Sequence, residues 1–130
     1  ERILQKKIKK NSLVGILGLA YKDKTNSIKN SPAIELIKKI KNNKILGYDP
    51  LVKVRKSNLN FSQFDNITNV VKKSDIIILM TNWKNLNEVI LKFKNINLKK
   101  KIILDPYGLL NSFIDKNVKE YFTLGKKNWI

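Results

Sequence analysis

The fold of this chain is constrained most by its apolar runs, which predict strands buried on both faces. The stretch "DIIILM" (75–80) is apolar at every interior position, as in strands of a parallel sheet covered by helices on each side. Asp75, at the start of this stretch, and Asp105, at the end of a later apolar run, are predicted to be solvated strand ends. Further predicted strands are 14–18 (VGILG), 44–49 (KILGYD), 101–105 (KIILD) and an edge strand at 120–124.

Helical spacing of apolar residues separates these runs. Pro32 suits the first helical position after a Ser31 N-cap, and one apolar face follows at Ala33, Leu36, Ile37 and Ile40. A short helix is predicted around Ile67, Val70 and Val71, and a longer one over 83–93 with Trp83 packed on the sheet. A short helical turn is predicted at 109–114. Residues 1–11 have the spacing of the end of a basic helix. We therefore predict an α/β fold, a Rossmann-like three-layer sandwich with a mainly parallel sheet of about five strands.

The residue types that are missing limit the chemistry. The 130 residues include no cysteine and no histidine, which excludes disulfides, thiolate or imidazole metal sites and histidine acid–base catalysis within them. We expect no catalytic group and no metal site in this chain. Any reactive nucleophile of a larger enzyme would lie elsewhere, and the absence of a starting methionine suggests that the chain is part of a longer protein.

The net charge of +17 has two interpretations. A basic surface is typical of proteins that bind nucleic acid. However, the bases are 25 Lys and 2 Arg, the excess is spread along the chain, and 17 Asn accompany the lysines. This pattern favours surface composition over selection for a polyanion, because recognition of phosphates and bases favours arginine. No apolar window is long enough to span a membrane, and we expect a cytoplasmic protein.

The loop after the first predicted strand is the candidate anion site. Ligands of such sheets bind outside the carboxyl ends of the strands, and this loop carries Lys22, Lys24 and Lys29 ahead of a helix start. Its glycine pattern, G-x-x-G-x-A, differs from the G-x-G-x-x-G of dinucleotide-binding turns. An independent NAD site is therefore not expected here. Tyr21 either packs against a base or sugar or belongs to the core, with the lysines solvated.

Asp49, at the end of the second predicted strand, has two possible roles. Rossmann proteins often place a ribose-binding acid there. Because Pro50 follows directly and no glycine fingerprint precedes it, we favour a cap of the strand end.

Four stretches together resemble one protein family. They are "GLAYKDKTNSIKNSPAIELI" (18–37), "YDP" (48–50), "SDIIILMTNW" (74–83) and "ILDPYGLL" (103–110). Their order and spacing resemble the C-terminal domain of the UDP-glucose/GDP-mannose dehydrogenases over about residues 14–110. The resemblance implies a domain, residues 12–130, that binds the nucleotide diphosphate of a nucleotide sugar.

The resemblance also implies roles for particular residues. Leu19, Ala20, Tyr21 and Lys22 would contact the nucleotide sugar, and Lys29 would reach NAD across a cleft. A separate N-terminal domain would bind most of the NAD and supply the catalytic cysteine and lysine. The whole enzyme would oxidise the sugar C6 alcohol twice, to a uronic acid.

The implied assembly extends beyond this chain. Residues 1–11 would form the end of a long connecting helix that also builds a homodimer. The partners would thus be the nucleotide sugar, the NAD-binding domain of the same protein and a second copy, with neither membrane nor nucleic acid.

Several positions depart from the family pattern. Asn26, Ser27, Lys29 and Asn30 replace two aspartates, an arginine and a glutamate, and Asn82 replaces a glutamate. Tyr107 stands in "DPY" where an arginine or lysine is usual. A basic nucleic-acid-binding module and a degenerate domain that binds no nucleotide are the alternative functions.

Overall fold

The computed structural model describes residues 7–9, 11–19, 32–40, 43–51, 53, 61–81, 91, 93–94, 96–111 and 117–123. Within them, six strands form one all-parallel sheet in the order β3-β2-β1-β4-β5-β6. This is the strand order of the doubly wound Rossmann fold. The strands are β1 Val14–Leu17, β2 Ile45–Tyr48, β3 Phe61–Gln63, β4 Ile76–Leu79, β5 Ile102–Leu104 and β6 Glu120–Phe122.

Alternation along the strands divides the core into two layers. In β4, Ile76 and Ile78 face one apolar cluster while Ile77 and Leu79 face the other, because successive side chains point to opposite faces of a sheet. All four are buried, and full burial of each stabilises the fold by about 1.5–3 kcal/mol. The predicted three-layer α/β architecture is confirmed.

Helix α1, Pro32–Lys39, covers the first of these faces. Ala33 and Ile37 are buried in its cluster, and Leu36 and Ile40 pack against it half-buried, which confirms the predicted apolar face. The predicted N-cap, Ser31, lies outside the described residues.

Helix α2, Ile67–Lys73, covers the opposite face with Ile67, Val70 and Val71. The side chain of Asn66 caps its start by accepting the N–H of Thr68 at 2.7 Å. The short helix predicted here is therefore confirmed, whereas most of the helix predicted at 83–93, Trp83 included, lies outside the described residues.

The C-terminus of α2 is held by a lysine from the next crossover. The ammonium of Lys101 donates to the carbonyl oxygens of Lys72 at 2.9 Å and Ser74 at 2.6 Å. The positive charge of Lys101 thus lies at the C-terminus of α2, where the helix dipole is negative, and it stabilises these carbonyl groups. Burial lowers the pKa of Lys101, and Asp75 opposes that shift.

Strand β3 is the main departure from the predicted fold. None of the predicted strands lies near Phe61, but Phe61–Gln63 pairs in parallel with β2. The sheet therefore has six strands where about five were predicted. The other five strands lie where their apolar runs predict them.

The chain before β1 is fastened to the turn before β2. The side-chain amide of Asn43, which is buried, donates to the carbonyl oxygens of Lys9 and Ser12, each at 3.1 Å. Asn11, between them, has a φ of 73°, a left-handed conformation that asparagine tolerates. Lys7 is helical and forms an ion pair with Glu120 of β6 at 3.0 Å. Ile8, Lys9 and Asn11 are not helical, so the helix predicted over 1–11 ends earlier than predicted, and residues 1–6 lie outside the described residues.

No helix in the described ranges is long and apolar enough to cross a membrane.

Candidate functional site

The carboxyl ends of β1 and β4 mark the centre of the sheet and its topological switch point. The chain leaves β1 towards β2 on one side and β4 towards β5 on the other, so the two connections diverge and leave a crevice between them. Gly18 and Thr81 lie at these two strand ends. The loop predicted to bind an anion begins here, at Leu19.

Gly18 allows the two strand ends to approach closely. Its φ is 100°, and a Cβ on it would lie 2.6 Å from Thr81 Cβ and 2.9 Å from Thr81 N. Only glycine combines this φ with so small a volume. Thr81 therefore fills the space that a side chain at residue 18 would occupy, and the two strand ends are in close contact.

Asp49 fixes the first residue of the loop. Its buried carboxylate accepts the N–H of Leu19 at 2.8 Å and the N–H of Leu51 at 2.9 Å. The interpretation of Asp49 as a strand-end cap is confirmed. The two backbone N–H groups account for the position of this carboxylate at the end of β2.

Of the four predicted substrate-binding residues, Leu19 lies within the described residues. Leu19 lies at the carboxyl edge as expected, but its side chain is fully buried in the core. Its contact with substrate stays a prediction. Ala20, Tyr21, Lys22 and Lys29 lie outside the described residues, as do Asn26, Ser27 and Asn30.

Asp105, at the carboxyl end of β5, corrects a sequence-based expectation. It was predicted to be a solvated strand end, yet it is 0% exposed. Its carboxylate accepts the N–H of Leu109 at 3.0 Å, the N–H of Leu110 at 2.7 Å and the hydroxyl of Tyr121 at 2.6 Å. These donors replace the water that a buried carboxylate loses. Asp75, in contrast, is exposed as predicted and accepts the N–H of Leu13.

Asp105 thereby shapes the loop that follows β5. The N–H of Gly108 donates to the Asp105 carbonyl at 3.0 Å, and the N–H of Asn111 donates to the Gly108 carbonyl at 3.2 Å. Gly108 has a φ of 66°. The side chain of Tyr107, at the apex, is 52% exposed at the same sheet edge as Gly18. The sequence gives no local signal for this network, because Tyr121 lies 16 residues after Asp105.

The Tyr121 hydroxyl couples this network to pH. Burial, together with the hydrogen bond to Asp105, raises the pKa of Tyr121 above its ordinary value of 10.0. Above pH 10 the unfolded chain loses the phenolic proton while the folded chain keeps it. The unfolded state then binds fewer protons, so this group makes stability fall as pH rises.

Tyr121→Phe should show this coupling directly. We expect the variant to be less stable than the wild type by about 1–2 kcal/mol at pH 8, since Asp105 loses one donor. The difference should shrink above pH 10, and urea unfolding at pH 8 to 11 measures it. A stability difference that stays the same from pH 8 to pH 11 would contradict the raised pKa of Tyr121.

Metal chemistry has no support in the part of the chain that the structure describes. No group of three or more acidic side chains there could hold a metal ion, and the chain has no histidine or cysteine.

A comparison with known protein families decides the relationship. Residues 15–112 match the UDP binding domain of the UDP-glucose/GDP-mannose dehydrogenase family. The chain belongs to this family. The match begins within β1 and ends just after the loop that Asp105 holds, so it contains both edges of the crevice described above.

Individual relatives of the UDP binding domain agree with the family match. The chain is 31% identical to a UDP-glucose 6-dehydrogenase of Rickettsia conorii over 91% of this chain and 29% of that protein. It is 29% identical to a UDP-N-acetyl-D-mannosamine dehydrogenase of Pyrococcus horikoshii over 76% of this chain and 22% of that protein. The chain thus spans less than a third of the length of these relatives.

A solved structure shares the fold of this UDP binding domain. The UDP-N-acetyl-mannosamine dehydrogenase Cap5O from Staphylococcus aureus superposes with a TM-score of 0.66 at 20% identity, over 96% of this chain and 28% of that chain. At this identity the similarity shows the fold alone.

Proposed function

We propose that this domain binds the nucleotide diphosphate of a nucleotide sugar in the crevice at the carboxyl ends of β1 and β4. The single observation that carries the proposal is the family match over 15–112, which coincides with a Rossmann-like sheet whose switch point lies at the carboxyl ends of β1 and β4. Ligands of such sheets bind at this point. Leu19, Ala20, Tyr21 and Lys22 belong to the segment that leaves β1 there, and we assign them to substrate.

The larger protein is proposed to be an NAD-dependent nucleotide-sugar 6-dehydrogenase that forms a uronic acid. The relatives include enzymes named for UDP-glucose and for UDP-N-acetyl-D-mannosamine, so both sugars are candidate substrates. NAD, when bound, accepts hydride. The glycine pattern after β1 differs from that of a pyrophosphate-binding turn, and the proposal places NAD mainly on a separate N-terminal domain, with Lys29 as a contact across the cleft.

Further features of the proposal concern the whole protein. The catalytic nucleophile would come from outside this chain, which contains no cysteine. A homodimer in the cytoplasm, joined through the helix that ends in 1–11, completes the proposal.

Lys22→Ala tests the assignment of the ligand site. Loss of a charged hydrogen bond to phosphate should weaken binding of UDP, UDP-glucose or GDP-mannose about tenfold or more. Isothermal titration calorimetry on the 130-residue chain measures this. Lys44→Ala is the matched control, because Lys44 is exposed and immediately precedes β2 at the opposite edge of the sheet.

The outcomes separate the candidate functions. Equal weakening by both variants would indicate only a nonspecific effect of net charge. A folded chain that binds none of these nucleotides would overturn the proposal and favour a domain that has lost nucleotide binding. Strong, steeply salt-dependent binding of DNA or RNA in its place would favour the basic nucleic-acid module.

A further inference from the structure

Tyr107 is a large aromatic side chain left exposed at the ligand edge of the sheet. It follows β5 by three residues, and 52% of its surface is accessible. Among the described residues, the other large apolar side chains with comparable exposure are Leu51 and Leu91. Single exposed apolar residues are common on protein surfaces. The exposure of Tyr107 therefore requires a second observation before it indicates a ligand.

The second observation is the fixed backbone that carries Tyr107. On one side, the buried carboxylate of Asp105 accepts two loop N–H groups and the Tyr121 hydroxyl. On the other, Gly108 adopts a φ of 66°, and a Cβ there would lie 2.6 Å from Asn111 Nδ2. The N–H of Gly108 also donates to the Asp105 carbonyl at 3.0 Å, so hydrogen bonds fix the backbone on both sides of Tyr107.

A fixed, exposed ring is suited to bind another flat ring. Tyrosine has few side-chain torsions to order, so it binds with a small loss of conformational entropy, and a fixed backbone reduces that loss further. Every nucleobase has a π face that can stack on such a ring. The polar hydroxyl explains how the ring is tolerated in water when no ligand is present.

The strand order brings Tyr107 within reach of the proposed phosphate site. Strands β1 and β5 flank β4 on its two sides. Neighbouring strands lie about 4.8 Å apart, so the loops after β1 and β5 start about 10 Å apart. A nucleotide whose diphosphate lies at the β1 loop can place its base over the β5 loop.

We propose that Tyr107 is the platform on which the base of the bound nucleotide stacks, with Asp105 as the residue that positions the platform. This inference rests on the proposed function, because it assigns one end of the same ligand. It also gives a role to the tyrosine of "DPY", which stands where an arginine or lysine is usual. Neither of those side chains has a phenol ring on which a base can stack.

Calorimetric titration of UDP onto the 130-residue chain tests the platform. Tyr107→Ala should weaken UDP binding at least about fivefold, the lower end of measured base-stacking effects, and Tyr107→Phe should restore most of the affinity. Leu91→Ala, which removes an equally exposed apolar side chain before β5, should leave it unchanged. Circular dichroism confirms that each variant is folded.

A spectroscopic readout separates stacking from a merely structural role. In Tyr107→Trp, UDP should quench the added indole fluorescence beyond any change in the wild type, which already contains Trp83 and Trp129. If the wild type binds UDP and Tyr107→Ala binds it equally, the platform is wrong and the proposed function stands. If Phe fails to restore affinity or the Trp variant shows no added quenching, stacking is also contradicted. If the folded wild type binds no UDP, the function and the platform are both overturned.

Discussion

Asp105→Ala is expected to lower the free energy of unfolding by about 3–5 kcal/mol, because it leaves buried donors without an acceptor. The donors are the N–H groups of Leu109 and Leu110 and the hydroxyl of Tyr121. Equilibrium urea unfolding measures the change. A loss of this size is a large fraction of the stability of a typical domain.

A milder variant and a matched control keep this prediction testable even if the alanine variant fails to fold. Asp105→Asn keeps the shape of the side chain but turns an –NH₂ towards a backbone donor, so a loss of about 2 kcal/mol is expected. Asp65→Asn makes the same change at an exposed carboxylate paired with Lys53 at 2.8 Å. Exposed pairs contribute little, so similar losses at the two sites would contradict the role of Asp105.

Gly18→Ala is expected to lower the free energy of unfolding by about 3 kcal/mol or more, as steric overlap and backbone strain add. The overlap is with Thr81, whose backbone N would lie 2.9 Å from the new Cβ. The φ of 100° also lies outside the small left-handed region open to other residues. Urea unfolding again gives the measurement.

Gly108→Ala is the matched comparison for Gly18. Its φ of 66° is within reach of alanine at a cost of about 1–2 kcal/mol, and its nearest obstacle is the amide end of the Asn111 side chain, which can move. The Gly18 variant should therefore be clearly the less stable of the two. Equal losses would show that β1 and β4 do not meet as closely as described.

The central strands were predictable because their chemistry is local. In 76–79 every residue is a large aliphatic, and such a run has few stable environments besides a strand covered on both faces. The apolar face of α1 was predictable for a similar reason. Strand β3 was not, because it has three residues, one of them exposed. Its position is determined by pairing with β2, which no short window of sequence reveals.

The residues of the candidate site were predictable where their contacts are local in the sequence and not where the contacts are distant. Asp49 could be interpreted from Pro50, which follows it, and from the missing glycine fingerprint, and the cap is confirmed. Asp105 was interpreted wrongly, because its burial depends on donors from a following turn and from β6. A strand-end aspartate looks the same in the sequence whether water or a tyrosine hydroxyl satisfies it. For Leu19, the position at the sheet edge was predictable, whereas the burial of its side chain is a tertiary property.

The Asn43 amide has a mechanical consequence. Because it donates to the carbonyl oxygens of both Lys9 and Ser12, it restricts the main chain just before β1. The ion pair from Lys7 to Glu120 adds a second tether at the far strand. A rotation of the chain at residue 7 would therefore rotate the whole sheet with it, so the segment before β1 is a rigid connection and not a hinge.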